Sequence, residues 1–140
     1  MNRTLVVSLI GLCGFTALVS AADKKDDPFA MGSVWTGEFL VAGKGNTPLK
    51  WALTVSERKG LSVKGEIVTF NREKKLDTTK FTGTATNQSS GGVSLITEQK
   101  GFGQAALKGK LKDNELTLIF YGRTKLGQTG AGTATLKRIN

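Results

Sequence analysis

The sequence has no histidine and only one cysteine, Cys13, in 140 residues. Without histidine there is no Ser-His-Asp triad, no Cys-His pair and no histidine-ligated zinc site. A lone cysteine gives no disulfide framework, so a folded domain of this length must be held by its core. Proline is scarce as well, with Pro28 and Pro48 the only two. Beyond the first segment no stretch repeats its apolar residues at helical spacing, which leaves strands and turns.

That first segment is better read as an address than as structure. Arg3 supplies a positive start, residues 5–19 are apolar, and Val19-Ser20-Ala21 is a small-residue cleavage site. Ser8, Gly11, Gly14 and Thr16 interrupt a run already short for a membrane span. Leu12 stands where a lipid-attachment site before Cys13 would need a small residue. Residues 1–21 are therefore expected to be a secretory signal peptide, and the product to be periplasmic or secreted with no membrane span after processing. Residues 22–32, charged and broken by Pro28, are expected to be a flexible leader in which Phe29 is a candidate to dock on the domain. Residues 33–140 are expected to form the folded domain.

What the sequence does contain is a repeated triplet of large apolar residue, polar residue and glycine. It appears as Trp35-Thr36-Gly37, Val63-Lys64-Gly65, Phe81-Thr82-Gly83 and Leu107-Lys108-Gly109. The apolar residue and the glycine lie two apart, so both face the same side of a strand. Glycine on a concave face permits the sharp bend that a narrow barrel needs. Alternation of the same kind marks strands over residues 34–41, 49–57, 61–67, 80–87, 93–99, 107–111, 116–122 and 131–139. Val68 and Phe70 break the parity of the third and point to a bulge. Residues 71–79 and 43–48 read as connections; the glycines of the latter lack the Gly-Lys-Ser/Thr and the helix of a phosphate loop.

The expected fold is all-β, an eight-stranded antiparallel up-and-down barrel, with a two-sheet sandwich as the alternative. Trp35 near the start of the first strand and Arg138 near the end of the last resemble the calycin pattern of lipocalins and avidin-like barrels. That resemblance implies that strands one and eight lie side by side and that Arg138 covers the Trp35 ring at a closed end. The chain is also similar to small exported bacterial barrels that open with Gly-Ser-x-Trp-x-Gly. Neither likeness supplies a ligand or a cofactor.

Glu38, Glu66 and Glu98 take outward parity, and Asp113 and Glu115 belong to a turn. No inward carboxylate pair is expected, and with it no glycosidase-type enzyme. The interior lining is expected to include Phe39, Trp51, Leu53, Ile67, Phe81, Leu107, Leu118 and Phe120, mostly large residues that favour a filled core. Net charge is +9, and Lys50, Lys64, Lys108, Lys110 and Lys137 fall on outward positions as a candidate basic surface. Threonines, not aromatics, accompany them, which disfavours nucleic acid. The sequence therefore suggests a non-enzymatic exported module that meets an anionic envelope component through its surface. A carrier of a small apolar ligand inside the barrel is the alternative.

Overall fold

Period-two alternation of apolar and polar residues yields eight strands in the computed structural model, which describes residues 27–42, 48–98, 103–123 and 129–140. They are β1 (Val34–Val41), β2 (Leu49–Lys59), β3 (Ser62–Asn71), β4 (Lys74–Ala85), β5 (Ser90–Thr97), β6 (Gln104–Lys112), β7 (Glu115–Arg123) and β8 (Thr129–Arg138). Each strand pairs antiparallel with the next, and β8 returns to β1, closing an up-and-down barrel. Every strand thereby has a neighbour on both sides, although β4 pairs with β5 only from Phe81 to Ala85. The proposed signal peptide, residues 1–21, lies outside the described residues. Among those described, no helix is long and apolar enough to cross a membrane, which does not bear on strands.

The glycine repeat works through close approach of neighbouring strands. A Cβ on Gly37 would stand 1.9 Å from the Thr135 carbonyl oxygen on β8, and one on Gly109 1.8 Å from that of Thr117 on β7. No side chain fits at either place, so the bend that closes the barrel depends on the missing Cβ.

Two sequence expectations need correction. Residues 71–79 are not a connection, because β4 begins at Lys74 and only Arg72 and Glu73 turn the chain. Arg72 adopts a positive φ of 56° there. The bulge expected near Val68 and Phe70 is real, with the register shifting between Thr69 and Phe70. The unpaired residue is Leu76 on the facing strand, since Thr69 pairs with Asp77 and Phe70 with Lys75. A second shift lies on β2 between Val55 and Glu57.

The other correction concerns the leader. Residues 27–32 pack onto the barrel instead of hanging free, with Gly32 N–H donating to Val55 O at 2.8 Å. Phe29 is buried and stacks on Trp35, ring centroids 5.2 Å apart and planes 21° from parallel. An apolar ring that caps an apolar interior removes both surfaces from water, which outweighs the tendency of a charged segment to stay solvated.

The chain enters and leaves the barrel at this end. Here the β2–β3, β4–β5 and β6–β7 turns also lie, and Val55, Val63, Leu111, Leu116 and Leu136 fill the interior around Trp35. The opposite end is bounded by the β3–β4 turn and by the ends of the strands joined through residues 43–47, 99–102 and 124–128.

Candidate functional site: a two-faced cavity at the open end

Inward positions follow strict parity, and the register decides which of them meet. Trp51 on β2 faces Thr69 on β3, which in turn faces Asp77 on β4; one step along, Leu53, Ile67 and Thr79 form the next row. The first row therefore runs from an aromatic ring to a carboxylate across only three strands. Thr97 on β5 continues the polar series, since it pairs with Phe81 of β4.

These rows border a cavity of about 330 Å³ at the open end. Strands β3 to β6 provide a polar wall of Thr69, Asp77, Thr79, Thr97 and Gln104. Strands β7, β8, β1 and β2 provide an apolar wall from Phe120, Val41 and Trp51, widened by Gly122 and Gly130. Ile67, Ala105 and Leu107 complete the apolar lining, and Arg123 stands at the rim. The volume is at the lower end of the range typical of small-molecule sites.

The rings of the aromatic wall pack on one another. Phe39 stacks on Trp51 at 4.2 Å and 11°, and Phe120 meets both rings edge-on, at 5.3 Å from Phe39 and 6.3 Å from Trp51. Polar residues on the other wall are also fixed. Thr79 Oγ1 donates to Asp77 Oδ2 at 3.0 Å. Thr97 Oγ1 accepts the Ala105 N–H at 2.8 Å, and Gln104 Nε2 donates to the Thr97 carbonyl at 3.1 Å.

Among the expected lining residues, Trp51, Ile67, Leu107 and Phe120 face the cavity, and Phe39 backs Trp51. Leu53, Phe81 and Leu118 are buried within the interior and do not line it. A solid interior is the outcome in the closed half only. In the open half the inward positions 69, 77, 79 and 97 carry threonine or aspartate, and Gly122 and Gly130 carry no side chain, so the cross-section is not filled. Asp77 and Thr79 went unrecognised as lining because residues 71–79 look like a charged loop. The continuing parity from Phe81 back through Thr79 to Asp77 is the signal that marks them.

At the closed end Trp35 and Arg138 are directly opposed in the β1–β8 ladder. The ring stacked on Trp35 is nevertheless that of Phe29, while Arg138 Nε donates to the Asn140 backbone oxygen. Another arginine, Arg58, makes the fuller set of contacts. Its Nε and Nη2 grip the two Asp27 carboxylate oxygens at 3.0 and 3.2 Å. Nη1 donates to Leu61 O and Ala85 O, and Nη2 also to Thr86 O, at 3.0–3.1 Å. All five guanidinium N–H groups are thus engaged. The clasp ties the leader, the β2–β3 turn and the end of β4 together.

The candidate basic residues are not gathered in one place. Lys50 lies opposite Glu38, Lys137 opposite Glu115, and Lys64 Nζ contacts Glu57 Oε2 at 3.1 Å. Lys108 and Lys110 share the outward face of β6, flanked by Gly92 and Ser94 on β5 and by Thr117 and Ile119 on β7. Comparison with protein families, curated proteins and solved structures gives no match. The structure itself therefore carries the functional argument.

Proposed function

We propose that this protein is an exported, non-enzymatic binding module that holds a small, largely apolar ligand in the cavity at the open end of a calycin-like barrel. The observation that carries this reading is the contrast inside one barrel, solid at one end and hollow at the other. A purely structural barrel gains from filling its interior, because each unfilled methylene-sized space forfeits stability. The cavity combines an apolar wall with a few fixed polar groups, the usual composition of ligand sites. The absence of histidine from the sequence and, among the described lining residues, a single carboxylate, Asp77, favour binding over catalysis. The export assignment rests on the residue pattern of positions 1–21.

A second reading, contact with an anionic envelope component, draws on the adjacent Lys108 and Lys110 and on the net charge of +9. Titration separates the two. N-phenyl-1-naphthylamine, a neutral apolar dye, is expected to bind saturably and with little dependence on salt. Gly130→Phe serves as the cavity-filling control: a Cβ there meets nothing within 4 Å, so the ring has space to enter. This variant is expected to stay folded and to lose the dye. Dye binding that is absent from the wild type, together with salt-sensitive binding of an anionic polymer, would replace the carrier reading with the surface one.

A further inference from the structure

One sector of the barrel's outer wall carries large apolar side chains beside lysines. We propose that this sector docks on the surface of an anionic phospholipid bilayer, with β7 seated among the headgroups and the lysines of β6 against the phosphates. The inference does not depend on the cavity; it rests on the second reading above, surface contact with an anionic component, and adds a partner and a face.

The apolar part is centred on β7, whose outward positions include Ile119 and Tyr121, 45% and 59% exposed. Register places Tyr121 between Ala106 on β6 and Ala131 on β8, small side chains that leave the ring raised above its neighbours. Ile96 of β5 pairs with Ala106 and is also exposed, so the apolar row continues one strand further. The outward face of β2, by contrast, reads Lys50, Ala52, Thr54 and Ser56. A tyrosine with an apolar body and a polar tip suits the boundary between headgroups and acyl chains.

The neighbouring row supplies the charge. Ile119 pairs with Lys108, Lys108 with Ser94, and Ser94 with Thr84. A shallow depression follows this row, lined by Thr84, Ser94 and Lys108; Gly92 adds no side chain, and Lys110 lies opposite it. Among the described residues no carboxylate pairs with Lys108 or Lys110. Glu98, one outward step beyond Ile96, accepts the Lys80 N–H. Ammonium and hydroxyl donors side by side suit a phosphate, and each lysine near an anionic lipid surface adds to the attraction. A second copy of this chain fits the face less well. Two chains of net charge +9 repel one another, and a few side chains raised on one strand bury less than a stable dimer needs. Interfacial binding instead combines a modest apolar area with electrostatic attraction.

All eight strands and the packed leader lie within residues 27–140, so the chain from Ala22 onward is the protein to test. Residues 5–19 are apolar and would bind vesicles by themselves. Co-sedimentation is measured with vesicles of phosphatidylcholine alone and of phosphatidylcholine mixed with phosphatidylglycerol. Dextran sulfate serves as an anion that offers no apolar phase. The protein is expected to bind the mixed vesicles and to bind phosphatidylcholine far more weakly. Lys108→Gln and Lys110→Gln should each weaken binding to the mixed vesicles about fivefold. Lys50→Gln removes the same charge three strands away from β7 and should change little. Ile119→Ser and Tyr121→Ser should each weaken the mixed vesicles about tenfold and leave dextran sulfate unaffected. Mixed vesicles that fail to bind, or that bind these two serine variants as well as the wild type, overturn the proposal; dextran sulfate then decides the surface reading separately. Equal losses from Lys50→Gln and Lys108→Gln also overturn it, because net charge and not this face would be responsible. So does a dimer in sedimentation that Tyr121→Ser dissolves, which would assign the face to a second copy. The wild-type comparison of the two lipids needs no variant and stands even if one fails to fold.

Discussion

The two ends of this barrel are built from the same eight strands and differ in what their inward positions carry. At the closed end Trp35, Leu53, Leu116, Leu118 and Leu136 are completely buried, and Phe29 seals the opening. At the open end the same parity carries Thr69, Asp77, Thr79, Thr97 and two glycines, and a cavity remains. The lesson is that strand geometry does not decide whether a barrel is hollow; side-chain volume at alternate positions does. Stability and binding are divided along the barrel axis, with each end free to serve one of them.

The sharpest way to break this contrast is to cut into the closed end. Trp35→Ala removes a fully buried ring and its Phe29 partner contact, and should cost about 3–5 kcal/mol in urea unfolding. Phe29→Ala belongs to the same class and should exceed Arg138→Ala; the reverse order would restore the arginine to the role of cap. Next comes the clasp. Arg58 and Asp27 side chains are 8% and 20% exposed, so Arg58→Ala leaves a largely buried carboxylate and three carbonyls without their donor. A loss of about 3 kcal/mol is expected. Arg58→Lys should recover little of it, since an ammonium lacks the planar fork.

At the open end the same measurement should return smaller numbers. Phe120 is only half-buried and borders empty space, so Phe120→Ala should cost about 1–2 kcal/mol, less than a core phenylalanine. A cost equal to that of Phe29→Ala would mean that the two ends contribute equally. Smallest of all, Lys108→Gln and Lys110→Gln should shift stability by no more than about 0.5 kcal/mol. Their effect on binding to an anionic polymer at low salt is the readout that sharpens the question of surface contacts.

Much of the fold was legible because parity is a strong signal when one face is buried. Strand β1 is read at its observed limits, and the paired inward glycines mark where the barrel bends. The first part of β4 was not legible. Lys74, Lys75 and Asp77 resemble a solvated loop, and only pairing with β3 keeps them extended. The polar wall went unseen with it, which is why the sequence favoured a filled interior. Arg58 was missed for a different reason: beside Lys59 and Gly60 it looks like turn material. Three of its acceptors are backbone carbonyls, which any residue supplies and no pattern of side chains reveals. Likewise the row that joins Trp51 to Asp77 depends on a register between strands, and no single stretch of sequence displays it.

The β1–β8 seam carries a kinetic consequence. All other ladders join strands consecutive in the chain, whereas this one unites residues such as Trp35 and Arg138 from its two extremes. Closing so long a loop costs entropy before any contact rewards it, so the hairpins should form first and the seam late. Until it does, the curled sheet presents two unpaired edges, one of them lined by Leu40 and Val41, and is open to joining the edge of another molecule. The interval should lengthen if the Gly37 bend is blocked, because β8 approaches β1 at that point. A refolding experiment at rising protein concentration would show it as a loss of yield confined to the slow phase.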